Sequence, residues 1–297
     1  MLSLTLSIFA TTFAYADAFT LKDGIVEMKA ITYASVQDED GQEAPLQMDV
    51  SFQAHAEGLL PAVIFIHGGS WKGGNREDGA LVTRLFANGD YFAATISFRQ
   101  GRNSGFPAAV HDCKAAVRFL KNNATALGIA PNKIGILGFS TGGHLAALVG
   151  LSTGIPQLDG TLNGKEVDTS VACIGTISGM VLPEVAKGQL KRLYNDWALD
   201  DRSVSRKATY PSTYIDKHDP PFYMVCGEED TMSTQKDTKN FAGLLRSARV
   251  WQHVEVIKSA GHRFENPNAY LGILGFFDVQ LGGSARRALQ QSINSER

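Results

Sequence analysis

Cysteine is scarce in this chain. Three are present among 297 residues, Cys113, Cys173 and Cys226, with no CxxC pair and no Cys/His cluster, so no metal site is indicated. An odd count leaves one thiol without a disulfide partner, but each sits in an apolar-patterned segment and reads as a small buried hydrophobe. Charge of one sign is also lacking. The formal net charge is -2 and no Lys/Arg-rich run occurs, which argues against nucleic-acid binding and against a polybasic membrane contact. Beyond the first residues no apolar stretch approaches bilayer-spanning length. No internal repeat and no linker divides the chain.

What is present is apolar content of 44% and aromatic content of 9%, enough for one substantial core and too much for a disordered chain. Leu2 to Ala16 are small and apolar and end in Ala14-Tyr15-Ala16 before Asp17, the pattern of a signal peptide with an A-x-A-like cleavage site. No Lys or Arg precedes that run, so a short anchor is the competing reading. The expectation is a leader over residues 1–16 and a mature protein over 17–297, secreted or periplasmic and free of the membrane after cleavage.

Further along, Leu46, Met48, Val50 and Phe52 alternate with polar residues, the signature of a half-buried strand. Val63 to Ile66, Tyr91 to Phe98, Ile134 to Leu137, Val171 to Ile177, Phe222 to Cys226 and Val254 to Ile257 are short apolar runs, fitting strands buried on both faces of a parallel sheet. Helical spacing follows Pro107 (Val110, Cys113, Val117, Leu120), follows Gly143, and recurs around Phe241 to Leu245 and Tyr270 to Leu281. Strands alternating with helices predict an α/β fold, a mostly parallel sheet of about eight strands with helices on both faces and an antiparallel edge formed by the first strands. The chain reads as a single domain in which residues 152–219 contain a small cap or a loop embellishment.

The chemistry lies in the turns. Gly138-Phe139-Ser140-Thr141-Gly142 follows the strand at Ile134 and precedes a helix; G-x-S-x-G in that setting is a nucleophile elbow. His67-Gly68-Gly69-Ser70-Trp71 follows the strand at Val63 and reads as an oxyanion loop, with the amides of Gly69, Ser70 and Thr141 as donors. Among seven histidines, His262 is the candidate base, because it follows the strand at Val254 through Ser259-Ala260-Gly261 and comes last in chain order. His144, four residues past Ser140 on the same helix, reads as packing. The candidate acid is Asp230, after the strand at Phe222; Glu229 is its main rival and Asp216, Asp219 and Asp237 are weaker.

Together these residues resemble the α/β-hydrolase superfamily, in particular an exported esterase/lipase group with an H-G-G-x-W loop. That group is similar to hormone-sensitive-lipase-like and feruloyl/acetyl-xylan-esterase-like enzymes. The resemblance spans roughly residues 45 to 280 and rests on HGGSW at His67, FPAAVHDCKAAVRFLK at Phe106, LGFSTGGHLAAL at Leu137, DPPFYMVCGEED at Asp219 and AGHRF at Ala260. It implies a serine carboxylic-ester hydrolase working through an acyl-enzyme on small-molecule or carbohydrate esters, with no cofactor. It also implies that Arg99 and Asp112 brace the loop and helix beneath the elbow and that Trp71 shapes the acyl side of the substrate pocket, with ordinary packing of Trp71 an equal alternative. Thr141 after the serine, Cys226-Gly227, Met232-Ser233 and the absence of an aspartate in Ile177-Ser178-Gly179-Met180 depart from the group's usual residues. A prolyl-oligopeptidase-like peptidase or amide hydrolase is the second reading, weakened because the chain has no room for a propeller. A non-catalytic ligand-binding module is the third. Oligomeric state is not legible.

Overall fold

A computed structural model describes residues 18–38, 40–101, 105–162, 165–166, 168–198, 205–264 and 267–295. The leader expected over residues 1–16 lies outside them.

Nine strands form one sheet: β1 (Ala18–Lys22), β2 (Ile25–Gln37), β3 (Glu43–Gln53), β4 (Leu60–Ile66), β5 (Phe92–Ile96), β6 (Ile129–Phe139), β7 (Cys173–Ile177), β8 (Phe222–Gly227) and β9 (Gln252–Ile257). Their spatial order is β1-β2-β3-β5-β4-β6-β7-β8-β9. The first three and the β3/β5 pair are antiparallel, and every later pair is parallel. Among the described residues the helices longer than one turn are α1 (Ala80–Ala87), α2 (Ala108–Asn122), α3 (Thr141–Leu151), α4 (Gly188–Ala198), α5 (Gln235–Ser247), α6 (Leu271–Leu281) and α7 (Ala285–Ser295).

The strand period of two explains why the central runs are apolar throughout. In β4, Ala62, Ile64 and Ile66 enter one core with Val110 and Val117 of α2, Leu145 and Leu148 of α3 and Phe241 of α5. Val63 and Phe65 face the opposite core, with Phe86 of α1, Ile273 and Phe277 of α6 and Leu289 of α7. A wholly buried side chain such as Phe277, 0% exposed, contributes roughly 2–3 kcal/mol of apolar transfer. Parallel strands so covered carry their chemistry at their carboxyl ends, where β4, β6, β8 and β9 open into loops.

The sheet has one strand more than the eight expected from sequence, because β1 and β2 build out the antiparallel edge. Helix α3 begins at Thr141, directly after the serine, rather than after Gly143. Among the described residues of 152–219 lie a helical turn (Pro156–Asp159), a pair of two-residue strands, β7 itself, α4 and three 3-10 turns. Lys114, fully buried, reaches out from α2 to pair with Asp159 and so ties the first of these turns to the core.

Candidate active site

Ser140 stands between β6 and α3 with φ 55° and ψ -118°. A non-glycine residue rarely adopts this conformation, and here it is clamped on both sides. Its amide donates to the Ile177 carbonyl at 2.9 Å, and its carbonyl accepts from the Met180 amide at 3.1 Å. The close approach needs Gly142, since a Cβ there would lie 2.1 Å from the Ile66 carbonyl oxygen at the end of β4.

His262, on the loop after β9, meets the serine. Ser140 Oγ donates to His262 Nε2 at 2.8 Å, and His262 Nδ1 donates to Asp230 Oδ2 at 2.8 Å. Asp230 lies on the loop after β8 and is buried, whereas Glu229 is exposed, so position separates the two rivals. The other oxygen of Asp230 accepts the amides of Met232 at 2.8 Å and Ser233 at 3.0 Å. Burial opposes its charge, but the hydrogen bond and field of His262 and these two amides hold the carboxyl below its ordinary range. A hydroxyl that donates to an imidazole, which donates to a fixed carboxylate, can surrender its proton and become a nucleophile.

The loop after β4 lies against the serine: a Cβ on Gly68 would approach Ser140 Cβ to 3.1 Å. Gly69 has φ 137°, and a Cβ there would overlap the Gly73 carbonyl oxygen at 1.8 Å, so only glycine fits. Ser70 and Trp71 follow with φ 56° and 59°. Among the hydrogen bonds of the described residues, none uses the amides of Gly69, Ser70 or Thr141 as donor. Helix α3 starts at Thr141, whose amide has no intrahelical acceptor. His67 anchors the loop's start. Its Nδ1 donates to the Gly68 carbonyl at 2.7 Å, its Nε2 accepts from Gln100 at 3.3 Å, and its ring stacks on Phe98. Burial holds its pKa below the usual histidine value, favouring the neutral ring.

Trp71, for which the sequence leaves a pocket-lining place and ordinary packing both open, points inward and packs. It is 3% exposed and stacks on Trp197 with ring centroids 5.7 Å apart. Its Nε1 donates to His144 Nδ1 at 3.2 Å, while His144 Nε2 donates to the Thr209 carbonyl at 3.0 Å. Tyr194 of α4 joins the cluster and hydrogen-bonds Thr209 Oγ1. Full burial pushes the His144 pKa down to about 4, so the ring is neutral and can accept the indole proton. His144 therefore packs, as its helix position implies, and it also couples the loop after β4 to Tyr194, Trp197 and Thr209. Arg99 and Asp112 meet too: Nε donates at 2.9 Å and Nη2 at 2.7 Å to a carboxylate 2% exposed.

The BD-FAE family model matches residues 48–245, from β3 through α5, and so contains both the loop after β4 and the elbow at Ser140. The chain belongs to the BD-FAE family of α/β-hydrolases. Within this BD-FAE chain, His262 and Arg263 lie beyond the matched span. The chain is similar to esterase LipC of Mycobacterium tuberculosis, 29% identical over 217 residues that cover 69% of the chain and 53% of LipC. It is also similar to isoprenylcysteine alpha-carbonyl methylesterase ICME of Arabidopsis thaliana, 30% identical over 140 residues, 47% of the chain and 32% of ICME. The BD-FAE chain thus spans about half the length of these curated relatives, or less. Among solved structures, a truncated carbohydrate esterase from gut microbiota shares the fold at TM-score 0.76 and 22% identity, covering 89% of this chain and all of its own. A thermophilic esterase of Thermogutta terrifontis, Est2, shares it at TM-score 0.70 and 22% identity, over 85% and 92% of the two chains.

Sequence reasoning did not find the amides of Met232 and Ser233 that fix the carboxylate, nor Tyr194 and Trp197 behind Trp71. Backbone donors leave no mark in residue type. The aromatic cluster joins positions more than a hundred residues apart, and only proximity reveals it.

Proposed function

We propose that this BD-FAE protein is a serine carboxylic-ester hydrolase. The observation that carries the reading is the unbroken hydrogen-bond chain Ser140 Oγ, His262, Asp230, each link 2.8 Å. Ser140 Oγ attacks the ester carbonyl carbon while His262 Nε2 takes its proton. The amides of Gly69, Ser70 and Thr141, free of other partners among the described residues, receive the negative charge on the carbonyl oxygen. His262 then protonates the alcohol oxygen as the carbon–oxygen bond breaks, leaving an acyl group on Ser140. Water, deprotonated by His262, releases the acid. Asp230 keeps Nδ1 protonated throughout, so that Nε2 faces the serine as the base.

The esterase names of the relatives support ester rather than amide cleavage, and the carbohydrate-esterase neighbour is consistent with an acylated carbohydrate as well as a small ester. The apolar Leu2–Ala16 segment supports export of the mature chain. Sequencing the amino terminus of the protein recovered outside the cytoplasm should then begin at Asp17.

The deciding experiment pairs turnover with active-site labelling. Wild-type protein hydrolyses short-chain p-nitrophenyl esters faster than the matching anilides and is labelled by a fluorophosphonate, and Ser140→Ala loses both properties. A wild-type protein that neither turns over such esters nor takes the label would overturn the reading.

A further inference from the structure

A cavity of about 310 Å³ lies beside the elbow, near the lower end of the roughly 300–1,000 Å³ that small-ligand sites occupy. Its lining includes His67 and Gly68 at the start of the loop after β4, Phe139, next to Ser140, and Arg263 and Phe264, which follow His262. Leu81 lies on its edge, 62% exposed, a large apolar side chain left open to solvent where a ligand would cover it.

Arg263 is the cation of this cavity. Its guanidinium carbon sits over the Phe139 ring, 5.2 Å from the centre, and the same ring has the His262 imidazole as a tilted neighbour at 5.3 Å. A cation–π contact of this kind favours one placement of the guanidinium, whose N–H groups match a carboxylate. Among the described residues no carboxylate forms an ion pair with Arg263, although the chain's other arginines and lysines supply eight ion pairs elsewhere. Asp78, the one acidic residue lining the cavity, directs Oδ2 to the Asn75 amide at 3.1 Å, where it caps a 3-10 turn.

The direction of the reaction says which half of a substrate meets this cation. His262 delivers its proton to the departing alcohol oxygen, so the alcohol leaves on the imidazole side, where Phe139, Arg263 and Phe264 form the wall. We propose that this cavity takes the alcohol half of the ester and that Arg263 selects an alcohol carrying a carboxylate, in other words a hydroxy acid acylated on its hydroxyl. The proposal rests on the esterase reading above.

The test compares 4-acetoxybenzoate, whose leaving phenol carries a carboxylate, with neutral 4-acetoxybenzamide. Dividing the two kcat/KM values, and then dividing wild type by variant, cancels the intrinsic reactivity of the esters. Arg263→Gln is expected to lower the anionic-to-neutral ratio about fivefold, the scale of a partly solvated charge pair. Arg263→Lys should keep most of the ratio, and Arg263→Glu should push it below that of Gln. In 1 M NaCl, where the screening length is about 3 Å, the wild-type ratio should fall toward that of the Gln variant. A ratio unchanged in both Arg263→Gln and Arg263→Glu overturns the subsite. Failure of wild type on the neutral ester as well sinks the esterase reading instead, so the two failures are distinct. Arg263 is exposed, and a melting temperature within about 2 °C of wild type certifies that each variant is folded.

Discussion

Replacing Asp230 by asparagine tests the site at its least forgiving point. Oδ1 of Asp230 accepts two backbone amides, Met232 at 2.8 Å and Ser233 at 3.0 Å, and Oδ2 accepts His262 Nδ1 at 2.8 Å. An amide side chain has one accepting oxygen and one donating nitrogen. The oxygen must stay toward the two amides, because a nitrogen there would confront two donors inside a buried site. The NH2 group is thereby forced to face His262 Nδ1, which can receive it only as a lone pair. The proton then moves to Nε2, and the imidazole turns toward Ser140 as a donor rather than as a base. Amidating the carboxylate of such a triad lowers kcat by about 10⁴-fold, or about 5.4 kcal/mol at 1.36 kcal/mol per decade. Steady-state hydrolysis of p-nitrophenyl acetate by Asp230→Asn, against Glu229→Gln as the exposed neighbour, is the assay. Retention of more than about a tenth of wild-type kcat in the asparagine variant would refute the tautomer argument, and a comparable loss in Glu229→Gln would move the acid to position 229.

Other outcomes follow from the surroundings of the site. Trp71→Phe keeps the ring but strips the donor from buried His144 Nδ1, and urea unfolding should register a loss of about 1–3 kcal/mol. Arg99→Met leaves the Asp112 carboxylate, 2% exposed, without its bidentate partner; the expected cost is about 3–5 kcal/mol, largely recovered in Arg99→Met with Asp112→Asn. Stability should also fall in mild acid. His144 has a folded pKa of about 4 against an ordinary 6.5, so the unfolded chain binds the extra proton first and stability is lost as pH drops through that window, by at most about 3 kcal/mol. Urea midpoints at pH 7 and pH 4.5 give the slope, which His144→Phe should reduce.

The amino-acid sequence by itself determined the layers and the chain order of the candidate site residues. Short apolar runs specify strands because a central parallel strand buries both faces, and β4, β5, β6, β7 and β8 fall where such runs occur; β9 falls on one too, but as the last strand of the sheet it is only half-buried. The elbow was legible for a local reason: glycine is required at 142 because a Cβ there would lie 2.1 Å from the Ile66 carbonyl oxygen, and such a requirement is written in residue type. His262 was legible from chain order. Other features were decided only by tertiary structure. Glu229 and Asp230 are adjacent and both acidic, and their separation into an exposed and a buried carboxylate depends on two amides that sequence patterning does not display. Trp71 ends an oxyanion-type motif and was open to either a pocket wall or packing, and left-handed backbone at Ser70 and Trp71 turns the indole toward His144 and Trp197. The extra edge strands β1 and β2 lack the uninterrupted apolar run that marks buried strands, since they pair at the antiparallel edge of the sheet. Periodicity and motif spacing are properties of neighbours along the chain; the orientation of a carboxylate, an indole or a guanidinium is set by partners that folding brings from far away.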